Sequence, residues 1–458
     1  MLKLIPENLV RLAEDAPFPL YVVGGSVRDF LAGYADRSEE FTDWDICAPV
    51  SAETFVSAAE KCNFAVRSVY KNTGTVKLRD EKGIGYEFSS FRSDEYVRGE
   101  HRPAKIFFTQ DMEADARRRD FTCNAVYYCI REGKFYDPLC GERDIREKKM
   151  RTVREARRVF GEDGLRLMRL ARQCAQLGFQ IEEDTLNGAR ANAELICDIA
   201  PERILTELEL LLHADEKYGV ADGHYRGLCV LRETGVLGRI FPELAMGDGM
   251  AQRADFHRYD VLEHSFRCVL YAKPNVRLAA LLHDVGKPFC RVRDGNVYEH
   301  SVEGAEIAVR ILNRLKAPKR QTEHIRQLVL WHMYDMDCKT REGKVRHFLA
   351  EHAPLLPDLF DLMQADFSAC MDDLSVSPPR AHLEGILRKM EQERAPMSVN
   401  ELKISGKALI ESGIEPQFIG AVLRELWLSC AVEPRLNNEK HLLKAAQGVY
   451  RSLSAQNT

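Results

Sequence analysis

The sequence predicts a mixed α/β head followed by a mostly α-helical chain, and three observations carry this. Short apolar runs separated by turn formers fill the first 140 residues or so. From about residue 142 the texture changes to Leu, Ala, Arg and Glu at helical spacing. Breaks fall at Asp137-Pro138, Ala245–Gly249, Pro378-Pro379 and Ala395-Pro396. The chain has 458 residues, and 65 Lys+Arg against 70 Asp+Glu leave a net charge of −5. With 45% hydrophobic residues it is globular rather than disordered or fibrous. The length allows about three domains at roughly 150 residues each. Thirteen scattered cysteines without a CxxC pair read as reduced thiols. Apolar stretches long enough for a membrane span are lacking, and Glu7, Glu14 and Asp15 interrupt the N-terminal run, so the expectation is a cytoplasmic chain with no membrane contact.

Taken in order, residues 1–20 predict a short helix ended by Pro17 and Pro19. Tyr21–Val23 reads as a buried strand, Gly24-Gly25 as a tight turn, and Val27–Leu31 as the start of a helix. Thr42–Cys47 predicts a second strand and residues 51–61 a helix. Thr75–Leu78 and Tyr86–Phe91 flank the turn-rich Asp80–Gly85 and predict a hairpin. Phe121–Ile130 is a strand or an apolar helix.

Chemistry enters at Gly24-Gly25-Ser26-Val27-Arg28-Asp29, followed by Asp43-Trp44-Asp45. A Gly pair at a strand-to-helix junction lets backbone N–H groups approach phosphate oxygens, and Arg28 could add a charged fork. Asp43 and Asp45 alternate along a strand, so both carboxylates share one face and suit Mg²⁺. A Gly-Gly turn alone is only a turn, and DxD alone is a solvated edge; together, in this order, they point to nucleotidyl transfer. Downstream, Glu162, Asp163, Arg166 and Arg169 fall on one stripe of a predicted helix, which is either a solvated charge stripe or a base reader. An Asp/Arg pair can mimic a Watson–Crick partner for C or A, because a carboxylate accepts from an exocyclic amine and a guanidinium donates.

These residues resemble the class II tRNA nucleotidyltransferases, a family of CCA-adding enzymes and bacterial poly(A) polymerases in the DNA polymerase β superfamily. GGSVRDFLAG…DWDI resembles the first motif, Arg118-Arg119-Asp120-Phe121-Thr122-Cys123-Asn124-Ala125 the RRDFTxNA motif, Asp137–Gly141 the hinge, and Glu162–Arg172 the EDxxRxxRxxR helix. The resemblance implies a polymerase-β-like catalytic head over 1–141, a base- and RNA-binding neck over 142–245, and template-independent addition of CMP, CMP and AMP to tRNA from CTP and ATP. It assigns Asp163 and Arg166 to base reading. Arg119, Arg169 and Arg172 are assigned to holding the nucleotide beside Gly24, Gly25 and Arg28. Asp43 and Asp45 would be the Mg²⁺ ligands, with Glu87 as a third carboxylate near them. Asp120 is either a structural partner of the arginine pair or a substrate contact. Arg98–Pro103 is similar to the loop that assists terminal A addition. Gly74–Leu78 lacks the basic-aromatic run of the poly(A) branch; addition of CC only or A only stays open.

The middle of the chain carries a second constellation: His264, His283-Asp284, His300, His332 and Asp366. Imidazole and carboxylate together suit a divalent ion with positions left for water and phosphate. The segment resembles the HD superfamily of metal-dependent phosphohydrolases. The resemblance implies His264, His283, Asp284 and Asp366 as ligands of Mg, Mn, Ni or Co, with His300 and His332 as accessory positions, in a helical domain over 246–378. A structural domain, or an HD phosphohydrolase whose head merely binds RNA, are the competing readings. Basic groups at Arg117–Arg119, between Arg143 and Arg158, and at Lys316, Lys319 and Arg320 are candidate RNA contacts. Residues 379–458, with Gly406, Gly413 and Gly420, resemble the tRNA-contacting tail of HD-containing family members. The sequence shows no obligate protein partner.

Overall fold

The computed structural model describes residues 1–34, 43–96 and 103–456. It divides into two compact units, Met1–Met246 with Ile311–Ala317, and Gly247–Arg310 with Pro318–Thr458.

The first unit opens with α1 (Glu7–Asp15), β1 (Tyr21–Val23), α2 (Gly25–Leu31), β2 (Asp43–Ala48) and α3 (Ala52–Lys61). Then come β3 (Ala65–Tyr70), β4 (Thr75–Arg79), β5 (Gly85–Ser90) and the ribbon β6 (Arg92–Glu95) and β7 (Lys105–Phe108). The head closes with α4 (Met112–Arg117), β8 (Tyr127–Cys129) and β9 (Lys134–Tyr136). Seven strands form one sheet in the order β3-β4-β5-β2-β1-β8-β9, in which β2 and β5 are parallel and the other pairs antiparallel. Alternation along the strands sorts the side chains. Trp44, Ile46 and Phe88 face one side, where Phe88 stacks on Phe55 of α3 at 3.7 Å. Tyr21, Val23, Cys47, Tyr127 and Cys129 face the other, against Phe91 and Ala116.

Two expectations change here. Phe121–Ile130 is neither one strand nor a helix: Thr122–Asn124 makes a 3-10 turn before β8, because Asp120 accepts from the N–H of Phe121 (2.8 Å) and the Asn124 amide (2.9 Å) and so bends the chain. Strand β3 was not expected, since Ala65–Tyr70 is an edge strand with little buried apolar surface for a pattern to report. The predicted loop residues 98–102 lie outside the described residues.

The neck is helical: α5 (Gly141–Arg146), α6 (Ala156–Glu162), α7 (Leu165–Leu177), α8 (Glu183–Ala191), α9 (Pro201–Leu212), α10 (Ala214–Tyr218), α11 (Gly223–Glu233), α12 (Val236–Ile240) and α13 (Pro242–Ala245). The expected single helix through Glu162–Arg172 is two helices. Asp163 adopts extended backbone (φ −148°) and accepts from the N–H of Leu165 at 3.0 Å, which ends α6 and starts α7. Gly164 permits the turn, since a Cβ there would lie 2.4 Å from the Leu195 carbonyl oxygen.

The second unit is built from α14 (Val261–Tyr271), α15 (Arg277–Leu282), α16 (Lys287–Asp294), the start of α17 (His300–Arg314), α18 (Lys319–Trp331), α19 (Glu342–Glu351), α20 (Leu356–Met371) and α21 (Pro378–Gln392). Its tail comprises α22 (Gly406–Glu411), α23 (Ile419–Val432) and α24 (Glu439–Gln456), around Leu409, Ile414, Val422, Leu426 and Leu442. Gly406 begins α22 behind the Ser405 cap and Gly413 takes φ +90°, whereas Gly420 sits inside α23 and punctuates nothing. No described helix is long and apolar enough to cross a membrane.

Candidate functional site

In the first unit a polar cavity of about 430 Å³ brings together Gly24, Gly25 and Asp45 with Arg118, Arg119, Asp120 and Asn124. Its other wall is Asp163, Arg166, Arg169, Arg172, Gln173, Arg203 and Lys217. The backbone register pairs Asp43 with Gly85 and Asp45 with Glu87 of β5, so Asp45 and Glu87 lie side by side on one face. Glu87 also meets Lys77 across β4 at 3.4 Å. Gly24, at φ +81°, lets the turn approach Asp45; a Cβ there would sit 2.9 Å from Asp45 Oδ2.

The arginines fall into two groups. Arg28 lines the cavity and is engaged on every donor. Nε and Nη2 donate to Asp29 (2.9 and 2.7 Å), Nη2 to the Tyr218 hydroxyl (3.1 Å), and Nη1 to Asn124 (2.8 Å) and Gln173 (3.3 Å). All five N–H groups are engaged, so Arg28 ties α2 to the neck. Tyr218 closes this network by donating to Asp29 at 2.5 Å. Arg169 clasps Asp120 through Nε (2.8 Å) and Nη2 (2.6 Å). Burial alone would raise the Asp120 carboxyl, but Arg169 and the Asn124 amide hold it well below the ordinary range. Asp120 thus partners Arg169, while Arg118 and Arg119 form a pair of their own. That pair belongs to Asp115, which accepts from Arg118 (2.7 Å), Arg119 (3.2 Å) and the Tyr127 hydroxyl (2.7 Å). Burial opposes ionisation of Asp115, yet the two guanidiniums hold it down to about 2.

Arg166 is buried; Nη1 donates to the Val159 carbonyl (2.9 Å) and Glu162 (3.2 Å), and Nη2 to the Arg118 carbonyl (2.7 Å), while the guanidinium lies 5.9 Å from the Tyr96 ring centre. Glu162, bonded also to Arg154, belongs to this buried cluster and does not line the cavity. Arg172 pairs with Glu207 at 2.5 Å. Arg203, exposed in the first turn of α9, forms no ion pair among the described residues. Sequence reasoning missed Asp115, Gln173, Arg203, Lys217 and Tyr218. The second basic group is also mixed: Arg151 and Arg154 are spent on Asp144, Glu182 and Glu162, whereas Arg143, Arg146, Lys148, Arg157 and Arg158 remain exposed.

In the second unit, His264 of α14, His283 and Asp284 after α15, His300 at the start of α17, His332 after α18, and Asp366 of α20 converge, all buried. His264 Nε2 lies 2.9 Å from Asp366 Oδ1 and 3.2 Å from His283 Nε2. Asp284 divides the cluster: Oδ2 faces His283 (3.2 Å) and His264 (3.4 Å), and Oδ1 faces His300 (3.2 Å) and His332 (3.9 Å). The second ring nitrogens explain the geometry. Nδ1 of His283, His300 and His332 lies 2.8, 2.7 and 2.6 Å from the Ala280, Val297 and Val329 carbonyls, so Nδ1 donates and Nε2 of each ring, when neutral, carries a lone pair. The Nε2 atoms of His300 and His332 then face each other at 3.3 Å, an arrangement a cation between them relieves. Burial, with His283 and His300 beside it, pushes His332 down to about 3, a neutral imidazole. Lys287, 2.6 Å from Asp284 Oδ2, was missed although it follows His283-Asp284 by one helical turn. The donor set fits divalent metal.

Comparison with known proteins matches three segments of the chain. Residues 20–151 match the Poly A polymerase head domain, 178–247 the probable RNA and SrmB-binding site of polymerase A, and 261–366 the HD domain. A-adding tRNA nucleotidyltransferase of Deinococcus radiodurans is 31% identical over 436 residues, 90% of this chain and 91% of the relative. The chain belongs to the tRNA nucleotidyltransferase family. The CCA-adding enzyme of Geobacillus thermodenitrificans is 33% identical over 62% of this chain and 64% of the relative. Among solved structures, the Bacillus stearothermophilus CCA-adding enzyme in complex with CTP shares the fold at TM-score 0.65 and 22% identity, covering 99% of this chain and 100% of that one. The head is a polymerase head with a mixed sheet, and the rest is mostly helical.

Proposed function

We propose that this nucleotidyltransferase adds CMP, CMP and AMP to the 3′ end of tRNA from CTP and ATP. The observation that carries the reading is one cavity in which the strand carboxylate Asp45, a Gly-Gly turn and a row of neck arginines meet. The chain then divides into a catalytic head (1–141), a neck (142–245), an HD domain (246–378) and a tRNA-contacting tail (379–458). Asp43 and Asp45 would hold Mg²⁺, which supplies Lewis-acid charge to the reacting phosphoryl oxygens and acidifies the attacking hydroxyl. The chain does the rest. Gly24 and Gly25, without side chains, admit the phosphates to backbone N–H groups at the start of α2. Glu87, beside Asp45 in register, takes the proton of the RNA hydroxyl. Asp163 accepts from the exocyclic amine shared by C and A, and Arg166, clamped on three sides, donates to the same base edge. Arg119, Arg169, Arg172 and the unpaired Arg203 hold ribose and phosphates. Arg28, at the cavity wall, braces the turn. Asp45→Ala tests the reading: nucleotide addition should fall more than a hundredfold, with tRNA binding within a few-fold.

One observation favours a second reading, addition of A alone: the relative matched over 436 residues is an A-adding enzyme, while the Geobacillus CCA-adding enzyme matches over 288. At the HD cluster we infer an independent divalent-metal phosphohydrolase, supported by the paired Nε2 atoms around Asp284.

A further inference from the structure

Beside the HD cluster lie two imidazole nitrogens that it does not use. His264 is fully buried and commits Nε2 to Asp366 and His283, but its Nδ1 has no hydrogen-bond partner. His257, in the loop before α14, buries its own Nδ1 without a partner. The two rings meet edge to face at 5.0 Å. Buried ring nitrogens are ordinarily satisfied, so two orphans side by side call for an occupant. Cys370 supplies a third donor. It lies one helical turn beyond Asp366 on α20, and its carbonyl accepts from the N–H of Arg258 at 2.9 Å, which pins the His257 loop to the helix. Ligand atoms of His257, His264 and Cys370 all lie within 4.8 Å of one another.

We propose that His257, His264 and Cys370 form a separate binding position for a thiophilic divalent cation such as Zn²⁺, Co²⁺ or Ni²⁺, adjoining the HD cluster and bridged to it by the His264 ring. Two imidazoles and a thiolate favour these ions over Mg²⁺, which the oxygen-rich nucleotidyl site suits. His257 and Cys370 also line a cavity of about 640 Å³, so the fourth coordination position opens towards it. Binding at this position releases one proton, from the Cys370 thiol, because His264 Nε2 donates to Asp366 and leaves Nδ1 a lone pair; a second cation at the HD cluster would take the Nε2 proton and make the ring a bridging imidazolate. Burial and Asp366 raise the Cys370 thiol, so its ionisation comes with the cation and not before. Burial and Lys287 push His257 down to about 4, leaving a neutral donor.

The thiolate gives the test its specificity, because every HD ligand is nitrogen or oxygen. The metal-free full chain is titrated with Co²⁺, following near-ultraviolet thiolate-to-cobalt charge transfer and bound metal by elemental analysis. The wild type should develop the band, and Cys370→Ser should lose it together with one equivalent of cobalt while keeping the rest. His257→Asn, at a half-buried loop position that disturbs no helix, should weaken the band-forming event more than tenfold. The His283→Ala, Asp284→Ala variant should keep the band, so failure of the HD reading is read separately. A wild type without the band, or a Cys370→Ser variant that retains it with unchanged metal content, overturns the proposal.

Discussion

Asp115→Asn probes the head most sharply. The carboxylate has a fully buried side chain and gathers Arg118, Arg119 and the Tyr127 hydroxyl at 2.7–3.2 Å. Asparagine keeps the shape and removes the charge, leaving two guanidiniums without their counter-ion. The carboxyl falls from its usual 3.8 to about 2 in the folded chain. At roughly 1.4 kcal/mol per unit, that difference corresponds to about 2 kcal/mol of stability at neutral pH. Because the folded value is the depressed one, this stabilisation is complete above the unfolded value and is lost as pH falls through the folded value. The gap between wild type and Asp115→Asn should therefore be constant from pH 7 to 5 and about half gone near pH 3. Urea unfolding followed by hydrogen exchange in the 112–130 segment isolates the head from the second unit. A pH-independent gap, or one below about 0.5 kcal/mol, would refute the claim that this carboxylate is ionised and shared by both arginines.

Gly24→Ala places a Cβ in a left-handed conformation 2.9 Å from Asp45 Oδ2; it should cost about 1 kcal/mol of stability and lower nucleotide addition more than tenfold, checked by thermal unfolding and primer-extension kinetics. The His283→Ala, Asp284→Ala double variant should lose divalent metal from the HD cluster and any phosphoester hydrolysis assayed with Mg²⁺, Mn²⁺, Ni²⁺ or Co²⁺, while nucleotide addition continues. Loss of addition by that variant while still folded would show the two sites to be coupled.

Local patterns made much of the head legible. The Tyr21–Val23 strand, the Gly-Gly turn and the Thr75–Phe91 hairpin follow from alternation and turn formers alone. What sequence periodicity misplaced is the Glu162–Arg172 segment, where side-chain capping by Asp163 and the close approach of Leu195 to Gly164 outweigh an unbroken helical spacing. Partners far apart in the chain were invisible: Tyr218 reaches Asp29 across 189 positions, and Arg169 reaches Asp120 across 49. For the same reason the partners of Arg28, which come from α2, the 122–124 turn, α7 and α10, cannot be read from its motif. At the HD cluster the residue types and order are visible in the sequence, whereas the division of the ligands between the two oxygens of Asp284 is a property of the fold.

The central claim is tested most directly by offering the chain three tRNAs: one lacking the terminal CCA, one ending in CC, and one complete. Each is incubated with CTP, ATP, UTP or GTP singly and with CTP and ATP together, and the products are sequenced. The account predicts two C residues on the first from CTP alone, one A on the second from ATP alone, CCA from the mixture, and no extension of the third. Extension of the CC-ending tRNA alone would contradict CCA addition in favour of the A-only reading, and runs of A on all three would contradict both.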